Sequence, residues 1–233
     1  MRIALCFSGQ PRSWKAGYEY YTKNLLDKHD VDVFFHTWDM PAMEWRDIAV
    51  TYNTRFFRID YPMKKELDDK YTNTPDATKW PPRFTVSALY STFRACLLKI
   101  DEEVQTKQYD WVIKTRFDFA LPCEIPFEAL EKGRVYMPPC RLKAYGDWLG
   151  NDQFAVGDSD TMNTYMSTYN NMDKYYNMGV PMIGEEMLRA NLLEHNLKDS
   201  VSYIDLPPPF PPGPHNGTPH FLIRDDYESW TRS

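Results

Sequence analysis

The sequence predicts a single α/β domain in which a mostly parallel central sheet is flanked by helices. Short apolar runs alternate with stretches in which apolar residues recur every three or four positions, the pattern of strands alternating with helices. The 233 residues are 42% hydrophobic, 15% aromatic and 26% charged, which suits a chain that buries one sizeable core. We therefore expect one core rather than two independent domains.

The amino-terminal part predicts a β-α-β unit followed by a third strand. The predicted elements are a strand over 2–8, a helix over 14–28, a strand over 31–36 and a strand over 55–59. Gly9 and Pro11 end the first strand because neither residue continues a strand pattern, and Ser13 is expected to cap the helix. Such a unit implies parallel strands joined by a right-handed crossover. A charged loop without periodicity is expected over 62–82.

The remainder of the chain continues the alternation in shorter pieces. The predicted elements are a helix over 84–104, a strand over 109–114, a strand over 153–156, a helix over 159–176 and a helix over 184–196. We expect the domain to end near residue 206. The tail over 207–233 is rich in proline, which favours extended polyproline conformation.

Composition and charge exclude several classes of function. The 33 acidic and 27 basic residues give a net charge of -6, and no Lys/Arg block is long enough to follow a phosphate backbone, so we expect no nucleic-acid partner. No apolar run approaches the roughly 18 to 20 residues of a transmembrane helix, and the early run over 3–7 is too short for a signal peptide. The four cysteines form no Cys-x-x-Cys pair, which predicts reduced thiols and a cytoplasmic location.

A polar crevice is predicted at the carboxyl ends of the strands, where open α/β sheets bind their ligands. Segments 8–12, 36–39 and 116–118 would meet there. From Ser8 onward, Gly9 lets a ligand approach the backbone, the Gln10 amide can read a heterocycle, and the Arg12 guanidinium can grip a phosphate. The alternative is a simple turn with a surface arginine. His36 is interpreted as a lining residue, since such a histidine is more often structural than catalytic.

A second group of charges follows the strand over 109–114. Alternation along a strand would place Lys114, Arg116 and Asp118 on one face. Three ionised groups are costly to desolvate unless they meet ligand charge, which favours a diphosphate together with a hard cation held by Asp118. A buried structural ion pair is the alternative. Of the motifs in the sequence, this one indicates a ligand-binding site most strongly.

Acidic residues in the carboxyl-terminal half supply candidates for a general base. Asp152 follows a Gly-Asn pair, while Glu185 and Glu186 open a predicted helix, so that one of the two glutamates can face the crevice. Their alternative role is to favour the helix terminus electrostatically. His215 and His220 lie in the tail, which could fold over a nucleotide, although a disordered terminus is the competing interpretation.

Four segments together resemble the GT-A-type glycosyltransferases of polysaccharide and lipopolysaccharide synthesis found in bacteria, phages and large algal viruses. The segments are Arg-Ile-Ala-Leu-Cys-Phe-Ser-Gly-Gln-Pro-Arg at 2–12, Val-Asp-Val-Phe-Phe-His-Thr-Trp at 31–38, Lys-Thr-Arg-Phe-Asp at 114–118, and Asn-Asp-Gln-Phe-Ala-Val-Gly at 151–157 with Glu185 and Glu186 beyond it. The likeness covers most of the chain from residue 1 to about 200.

The resemblance implies a GT-A-like domain over 1–206, with a nucleotide-sugar half over 1–120 and a half for a carbohydrate acceptor over 121–206. Members of this group hold Mn²⁺ or Mg²⁺ with an Asp-x-Asp motif, and here the equivalent position is Arg116-Phe117-Asp118. Asp118 would then bind the metal, or Arg116 and Lys114 would neutralise the diphosphate themselves. The x-Glu-Asp base of inverting members is matched loosely by residues 184–186, which favours Glu186 over Glu185 and Asp152.

Two other classes of function remain as alternatives. A non-catalytic module that binds a nucleotide or carbohydrate could share the fold, since fold does not decide function. A glycoside hydrolase would also use paired carboxylates and aromatic side chains. The phosphate-suited cations Lys114, Arg116 and Arg12 argue against the hydrolase.

Overall fold

A computed structural model describes residues 1–73, 81–138, 151–207, 209 and 221–223. Its strands are β1 (Arg2–Ser8), β2 (Asp30–Trp38), β3 (Thr54–Asp60), β4 (Trp111–Thr115), β5 (Val135–Met137), β6 (Ala155–Gly157) and β7 (Val201–Tyr203). They form one sheet in the order β3-β2-β1-β4-β6-β5-β7. Strand β6 runs antiparallel to both of its neighbours, and the other pairs are parallel. The predicted α/β class with a mostly parallel sheet is confirmed.

The α-helices are α1 (Trp14–Tyr21), α2 (Ala42–Thr51), α3 (Leu67–Lys70), α4 (Pro82–Gln105), α5 (Ser159–Met166), α6 (Thr168–Asn177) and α7 (Gly184–Glu194). A π-helical segment, Thr22–Leu26, continues α1, so the helix predicted over 14–28 is regular only in its first half. Two short 3₁₀ helices, Phe127–Ala129 and Lys198–Ser200, connect the later strands.

Two predictions about the helices were wrong, and two helices were missed. Ser13 occupies the N-cap position of α1, but its φ of 50° is left-handed and its side chain makes no capping hydrogen bond. The helix predicted over 159–176 is two helices, because Ser167 leaves helical geometry at φ -88° and ψ 8°. Helix α3 lies within the segment 62–82 that the sequence predicts to be a loop. Helix α2 was also not predicted; only Ile48 of α2 is buried, so its apolar periodicity is too weak to read from sequence.

The two faces of β1 pack against different helices. Ile3, Leu5 and Phe7 share one core cluster with Trp14 and Tyr21 of the α1 region. Cys6 of β1 lies in the opposite cluster with Ala95 and Cys96 of α4. Helix α1 leads from β1 to β2 and α4 leads to β4, so the connections on either side of β1 cover opposite faces. This arrangement is a topological switch point, and ligands of open α/β sheets bind outside the carboxyl ends of the strands at such a point, here those of β1 and β4.

Part of the predicted tail returns to the domain. Phe221 and Leu222 are 8% and 5% exposed. Phe221 stacks on Phe119 with ring centroids 5.3 Å apart, and its carbonyl accepts a hydrogen bond of 2.8 Å from the Ala120 amide. The Ile223 amide donates to the Asp118 carbonyl at 2.7 Å. Residues 221–223 therefore belong to the core beside the crevice, whereas the sequence predicts an extended tail after residue 206.

Among the described residues, Cys6, Cys96 and Cys123 are free cysteines, and Cys140 lies outside the described residues. Among the described residues, no helix combines the length and the apolar character that crossing a bilayer requires.

Candidate functional site

The candidate site lies at the switch point, where β1 and β4 end side by side. Phe7 pairs with Thr115 at the last step of the ladder, and the Ser8 hydroxyl lies 3.4 Å from the Thr115 carbonyl oxygen. Segments 8–12 and 116–118 therefore leave the sheet together, as predicted. Gly9, with φ 94°, turns the chain away from the end of β1. Glycine adopts this left-handed conformation without the strain that other residues would incur.

Gln10 and Arg12 form a small exposed unit on the loop after β1. The Gln10 side-chain oxygen accepts hydrogen bonds from Arg12 Nε at 3.0 Å and Nη2 at 2.8 Å. A backbone bond of 2.9 Å from the Arg12 amide to the Gln10 carbonyl closes the turn. The guanidinium is thus oriented by its neighbour and remains exposed, which suits the recognition of an anion.

A buried network that the sequence did not reveal holds the base of this loop. The Gly9 amide donates to Ser91 Oγ at 2.7 Å, and Ser91 Oγ lies 2.8 Å from His36 Nδ1. His36 Nε2 lies 3.2 Å from Asp60 Oδ2. Burial lowers the pKa of His36 to about 4, against the opposing bond to Asp60, so the ring is neutral at pH 7. The neutral tautomer that satisfies every partner carries its proton on Nε2 and accepts the Ser91 hydroxyl on Nδ1.

Ser91 and His36 are both fully buried, so this chain of a serine, a histidine and an aspartate supports the loop rather than meeting a substrate. The interpretation of His36 as structural rather than catalytic fits this geometry, but the prediction that it lines the crevice is wrong, because its side chain is fully buried within β2. Ser91 has no recognisable signal in the sequence. It meets Gly9 only because α4 crosses beneath the end of β1, and no local sequence pattern can indicate such a crossing.

Arg116 and Asp118 face each other directly after β4. Arg116 Nε donates to Asp118 Oδ1 at 2.8 Å and Nη2 donates to Oδ2 at 2.7 Å, a two-pronged pair. Burial disfavours the guanidinium charge, but the bonds and the charge of Asp118 outweigh it and raise the pKa of Arg116. The strand ends at Thr115, so strand alternation does not set the orientation of these two side chains. The prediction that alternation along the strand places them on one face with Lys114 is therefore wrong.

The donor set does not fit a divalent cation as it stands. Both carboxylate oxygens of Asp118 are engaged by Arg116, and the Asp118 side chain is 4% exposed. Within the described ranges, no group of three or more His, Cys, Asp or Glu residues is placed to hold a metal ion. A metal at Asp118 would have to displace Arg116 from this pair.

Lys114 occupies a different place from the one its spacing indicates. Its residue is 3% exposed, and its ammonium donates a hydrogen bond to the main-chain carbonyl of Asp152. Burial lowers the pKa of Lys114 to about 8, against the opposing charge of Asp152. Lys114 therefore faces the acidic residues of the carboxyl-terminal half rather than solvent beside Arg116.

The Asp152 carboxylate lies against the first residue of α7. Asp152 Oδ2 lies so close to Gly184 that a β carbon there would be 2.8 Å away, and Glu185 is the next residue. Burial, followed by the negative charge of Asp152, raises the pKa of Glu185 to about 8. A cavity of about 20 Å³, room for about one water, lies between β4, α4, α5 and α7 and is lined by both Lys114 and Asp152.

The turn that carries Asp152 is firmly held. Asn151 Oδ1 accepts hydrogen bonds from the amides of Gln153 at 2.8 Å and Phe154 at 3.2 Å. The Tyr165 hydroxyl donates to the Asn151 carbonyl, and Lys114 binds the next carbonyl. Such an Asx turn places Asp152 without relying on a helix or strand.

Glu186 points to a different environment. One of its oxygens lies 3.4 Å from Arg189 Nη1. Its other oxygen, Oε1, is buried and has no hydrogen-bond partner among the described residues. The prediction that one of the two glutamates faces the crevice fits this arrangement, but Glu185 is the one that interacts with Lys114 and Asp152. His215 and His220 lie outside the described residues.

Comparison of the chain with models of known protein families and with curated proteins gave no match.

The Arg116–Asp118 pair makes a prediction about stability. Asp118→Asn removes the carboxylate charge from a nearly buried pair, so we expect a loss of about 1 to 3 kcal/mol of unfolding free energy, the range for hydrogen bonds to charged groups. Arg116 is 34% exposed, which limits the loss because water can rehydrate its guanidinium. Urea denaturation measures this change. The exposed Asp199→Asn is the matched control, and equal stability of the two variants would contradict a structural role for the pair.

Proposed function

We propose that this protein is a glycosyltransferase that moves a sugar from a nucleotide-sugar donor to a hydroxyl group of a glycan or other acceptor. The observation that carries the proposal is the composition of the switch-point crevice. The guanidinium groups of Arg12 and Arg116 follow the carboxyl ends of β1 and β4, and the pKa of the Glu185 carboxyl at the start of α7 is raised to about 8. Sugar transfer from a diphosphate needs both kinds of group.

The cations and the carboxylate would carry out different parts of the reaction. The acceptor oxygen forms a bond to the anomeric carbon while the bond from that carbon to the diphosphate breaks. The electron pair leaves with the diphosphate, and the cations stabilise the charge that develops there. In an inverting reaction, the acceptor proton passes to a carboxylate within hydrogen-bond reach. Glu185 suits that role because it is partly exposed and its pKa lies near the working pH.

We favour a mechanism in which cationic side chains, rather than a metal ion, stabilise the leaving diphosphate. Arg116 is already oriented by Asp118, and Arg12 by Gln10. We therefore propose that transfer does not depend on a metal at Asp118. An activity that survives EDTA is the expected result, whereas recovery only on addition of Mn²⁺ or Mg²⁺ would return Asp118 to the role of metal ligand.

A glycoside hydrolase is the second candidate, because two acidic residues serve the start of α7: Asp152 packs against Gly184, and Glu185 is the next residue of the helix. Paired carboxylates of this kind cleave glycosidic bonds without a nucleotide. One assay distinguishes the hydrolase from the transferase. Release of the chromophore from aryl glycosides in the absence of nucleotide favours the hydrolase, and consumption of a nucleotide sugar only with an acceptor favours the transferase.

The decisive experiment is a binding screen on the full chain. Nucleoside diphosphates and nucleotide sugars are tested by thermal shift, with and without Mn²⁺ and with EDTA, and those that bind are then tested for turnover with hydroxyl acceptors. A raised Tm with a nucleoside diphosphate supports the donor site. Absence of any shift across the whole screen would contradict the proposed function.

Arg12 supplies the test of where the diphosphate binds. A charge-assisted hydrogen bond contributes about 1.5 to 3 kcal/mol, so we expect Arg12→Ala to weaken nucleoside diphosphate binding by roughly tenfold or more. Calorimetry measures the Kd. Lys23→Ala is the matched control, since it removes an exposed cation from the π-helical segment that follows α1. An unchanged Kd for the Arg12 variant would remove this residue from the site.

A further inference from the structure

A second cluster of polar side chains lies at the carboxyl ends of β2 and β3, beside the switch point. Four side chains share one face of the sheet there, namely His36 and Trp38 of β2 and Arg58 and Asp60 of β3. Helix α4 packs across β2 and β3 on the same side. The carboxyl ends of the strands in an open α/β sheet are where ligands bind, so this cluster occupies a place suited to a ligand.

The Asp60 carboxylate is the centre of the cluster. Arg58 Nε donates to Asp60 Oδ1 at 2.9 Å and to Oδ2 at 3.2 Å. From α4, the Tyr90 hydroxyl donates to Oδ2 at 2.8 Å, and Arg94 Nε lies 3.7 Å from the same oxygen. Burial disfavours the carboxylate, but the hydrogen bonds that it accepts, first that of Tyr90, outweigh this effect and lower the pKa of Asp60. Asp60 is therefore ionised at pH 7.

The cluster holds more positive than negative charge. Two guanidinium groups, those of Arg58 and Arg94, form ion pairs with the single carboxylate of Asp60. His36 adds no charge, because its ring is neutral at pH 7. Among the described residues, the exposed Asp39 that follows β2 forms no ion pair with either arginine. One positive charge of the cluster is thus left for an anion from outside the chain.

The two arginines also have hydrogen-bond donors to offer. Within the described ranges, neither guanidinium donates through its terminal nitrogens to another residue. The side chains of Arg58 and Arg94 are 50% and 21% exposed, so these donors reach solvent. Arg94 lies over the Tyr90 ring, 5.7 Å from its centroid, and Trp38 stacks on the same ring. Arginines oriented in this way suit an oxyanion, which accepts paired N–H donors.

We propose that Arg58 and Arg94 form an oxyanion subsite, which holds a phosphate or carboxylate group of the acceptor. In the proposed function the donor diphosphate meets Arg12 and Arg116, so an anion at β2 and β3 comes from another part of the bound ligands. Strand β3 lies two strands from β1, about 10 Å at the usual spacing. An acceptor of two or more sugar units can reach both places. The assignment to the acceptor rests on the proposed function, whereas oxyanion binding itself does not.

The experiment is a nitrogen-15 NMR titration of the arginine Nε–Hε groups in the full chain, in which each anion replaces chloride at constant ionic strength. Inorganic phosphate represents a phosphorylated acceptor, and glucuronate represents a carboxylate on a sugar ring. Loss of a signal in Arg58→Gln or Arg94→Gln assigns it. We expect at least one of the two anions to shift both signals, saturably and with the same Kd.

Either substitution should also raise that Kd by roughly tenfold, because only one of the two guanidinium groups remains to bind the anion. The signal of the remaining arginine reports the Kd. Arg46→Gln is the matched control, since it removes an exposed guanidinium from α2, and it should leave the Kd unchanged. Arg58 is half exposed, so Arg58→Gln keeps the test available if Arg94→Gln does not fold.

The outcomes distinguish this subsite from the proposed function. Joint, saturable shifts that the variants weaken support the subsite even if no nucleotide sugar is turned over. Signals that neither anion shifts saturably, or a Kd that Arg58→Gln leaves unchanged, overturn it even if the protein is an active transferase. Shifts with uridine but with neither anion overturn it in favour of a nucleobase site. Loss of nucleoside diphosphate binding in Arg58→Gln would overturn the assignment to the acceptor.

Discussion

Glu185→Gln should lower kcat by roughly 10²- to 10⁴-fold while the affinity for the donor is retained. The amide keeps the size of the side chain, but it cannot accept the proton of the acceptor hydroxyl. In the proposed function the donor binds through Arg12 and Arg116 rather than Glu185, so its Kd should not change. Measurements at saturating donor and acceptor isolate this loss.

The dependence of kcat on pH should also show the ionisation of Glu185. Because burial and the charge of Asp152 raise the pKa of Glu185 to about 8, less than half of its carboxyl is ionised below that pH. The base is the ionised form, so kcat should rise up to about tenfold per pH unit below pH 8 and level off above it. This limb should disappear from the residual activity of Glu185→Gln.

Glu186→Gln is the matched control for Glu185, since it changes the adjacent residue of the same helix in the same way. One oxygen of Glu186 pairs with Arg189, so we expect a smaller effect on turnover. A larger loss for Glu186→Gln would restore the residue that the resemblance favours. Near-native turnover in both variants and in Asp152→Asn would exclude an inverting mechanism with any of these carboxylates as the base.

Gly17→Ala should destabilise the fold, although the same substitution usually stabilises a helix. A β carbon at Gly17 of α1 would lie 2.2 Å from the Phe117 carbonyl oxygen and 3.4 Å from its carbon. These are backbone atoms, which cannot move aside as a flexible side chain can. Alanine gains up to about 1 kcal/mol over glycine in a helix interior. We expect the clash to outweigh this gain and leave a net loss of roughly 1 to 3 kcal/mol, as in overpacked cores.

Urea denaturation of Gly17→Ala tests this expectation, with Glu19→Ala as its control. Glu19 is an exposed position of the same helix, where a change to alanine should alter the unfolding free energy by less than about 0.5 kcal/mol. The effect should also reach the site, because Phe117 separates Arg116 from Asp118. A rise in stability for Gly17→Ala would mean that α1 does not approach the end of β4 as closely as described.

The order of strands and helices in the first 115 residues could be predicted from sequence with few errors. Strands β1, β2, β3 and β4 and helix α4 all appear within a few residues of the predicted bounds. Each has a strong local signal, either an apolar run ended by a turn residue or a long helical periodicity. Ser13 and α2 were mispredicted because the first adopts a left-handed conformation and the second buries a single residue.

The sequence by itself determined the chemistry available at the crevice. A strand followed at once by Ser-Gly-Gln-Pro-Arg, and another followed by Arg-Phe-Asp, must bring those side chains to one edge if the strands are parallel. That inference needs only local patterns and the rule for connections. It placed Arg12 at the end of β1, and Arg116 and Asp118 at the end of the neighbouring β4, without knowledge of any distance.

Only the tertiary structure decided which group each of these residues meets. Arg116 turns to Asp118, Lys114 turns beneath the sheet to Asp152, and Ser91 reaches Gly9 from a helix 82 residues further along the chain. Burial and charge then set the proton affinity of Glu185 through neighbours from β4, the turn before β6 and α7. The physical reason is that these effects depend on distances of a few ångströms between segments far apart in sequence, and hydrophobic periodicity carries no information about such distances.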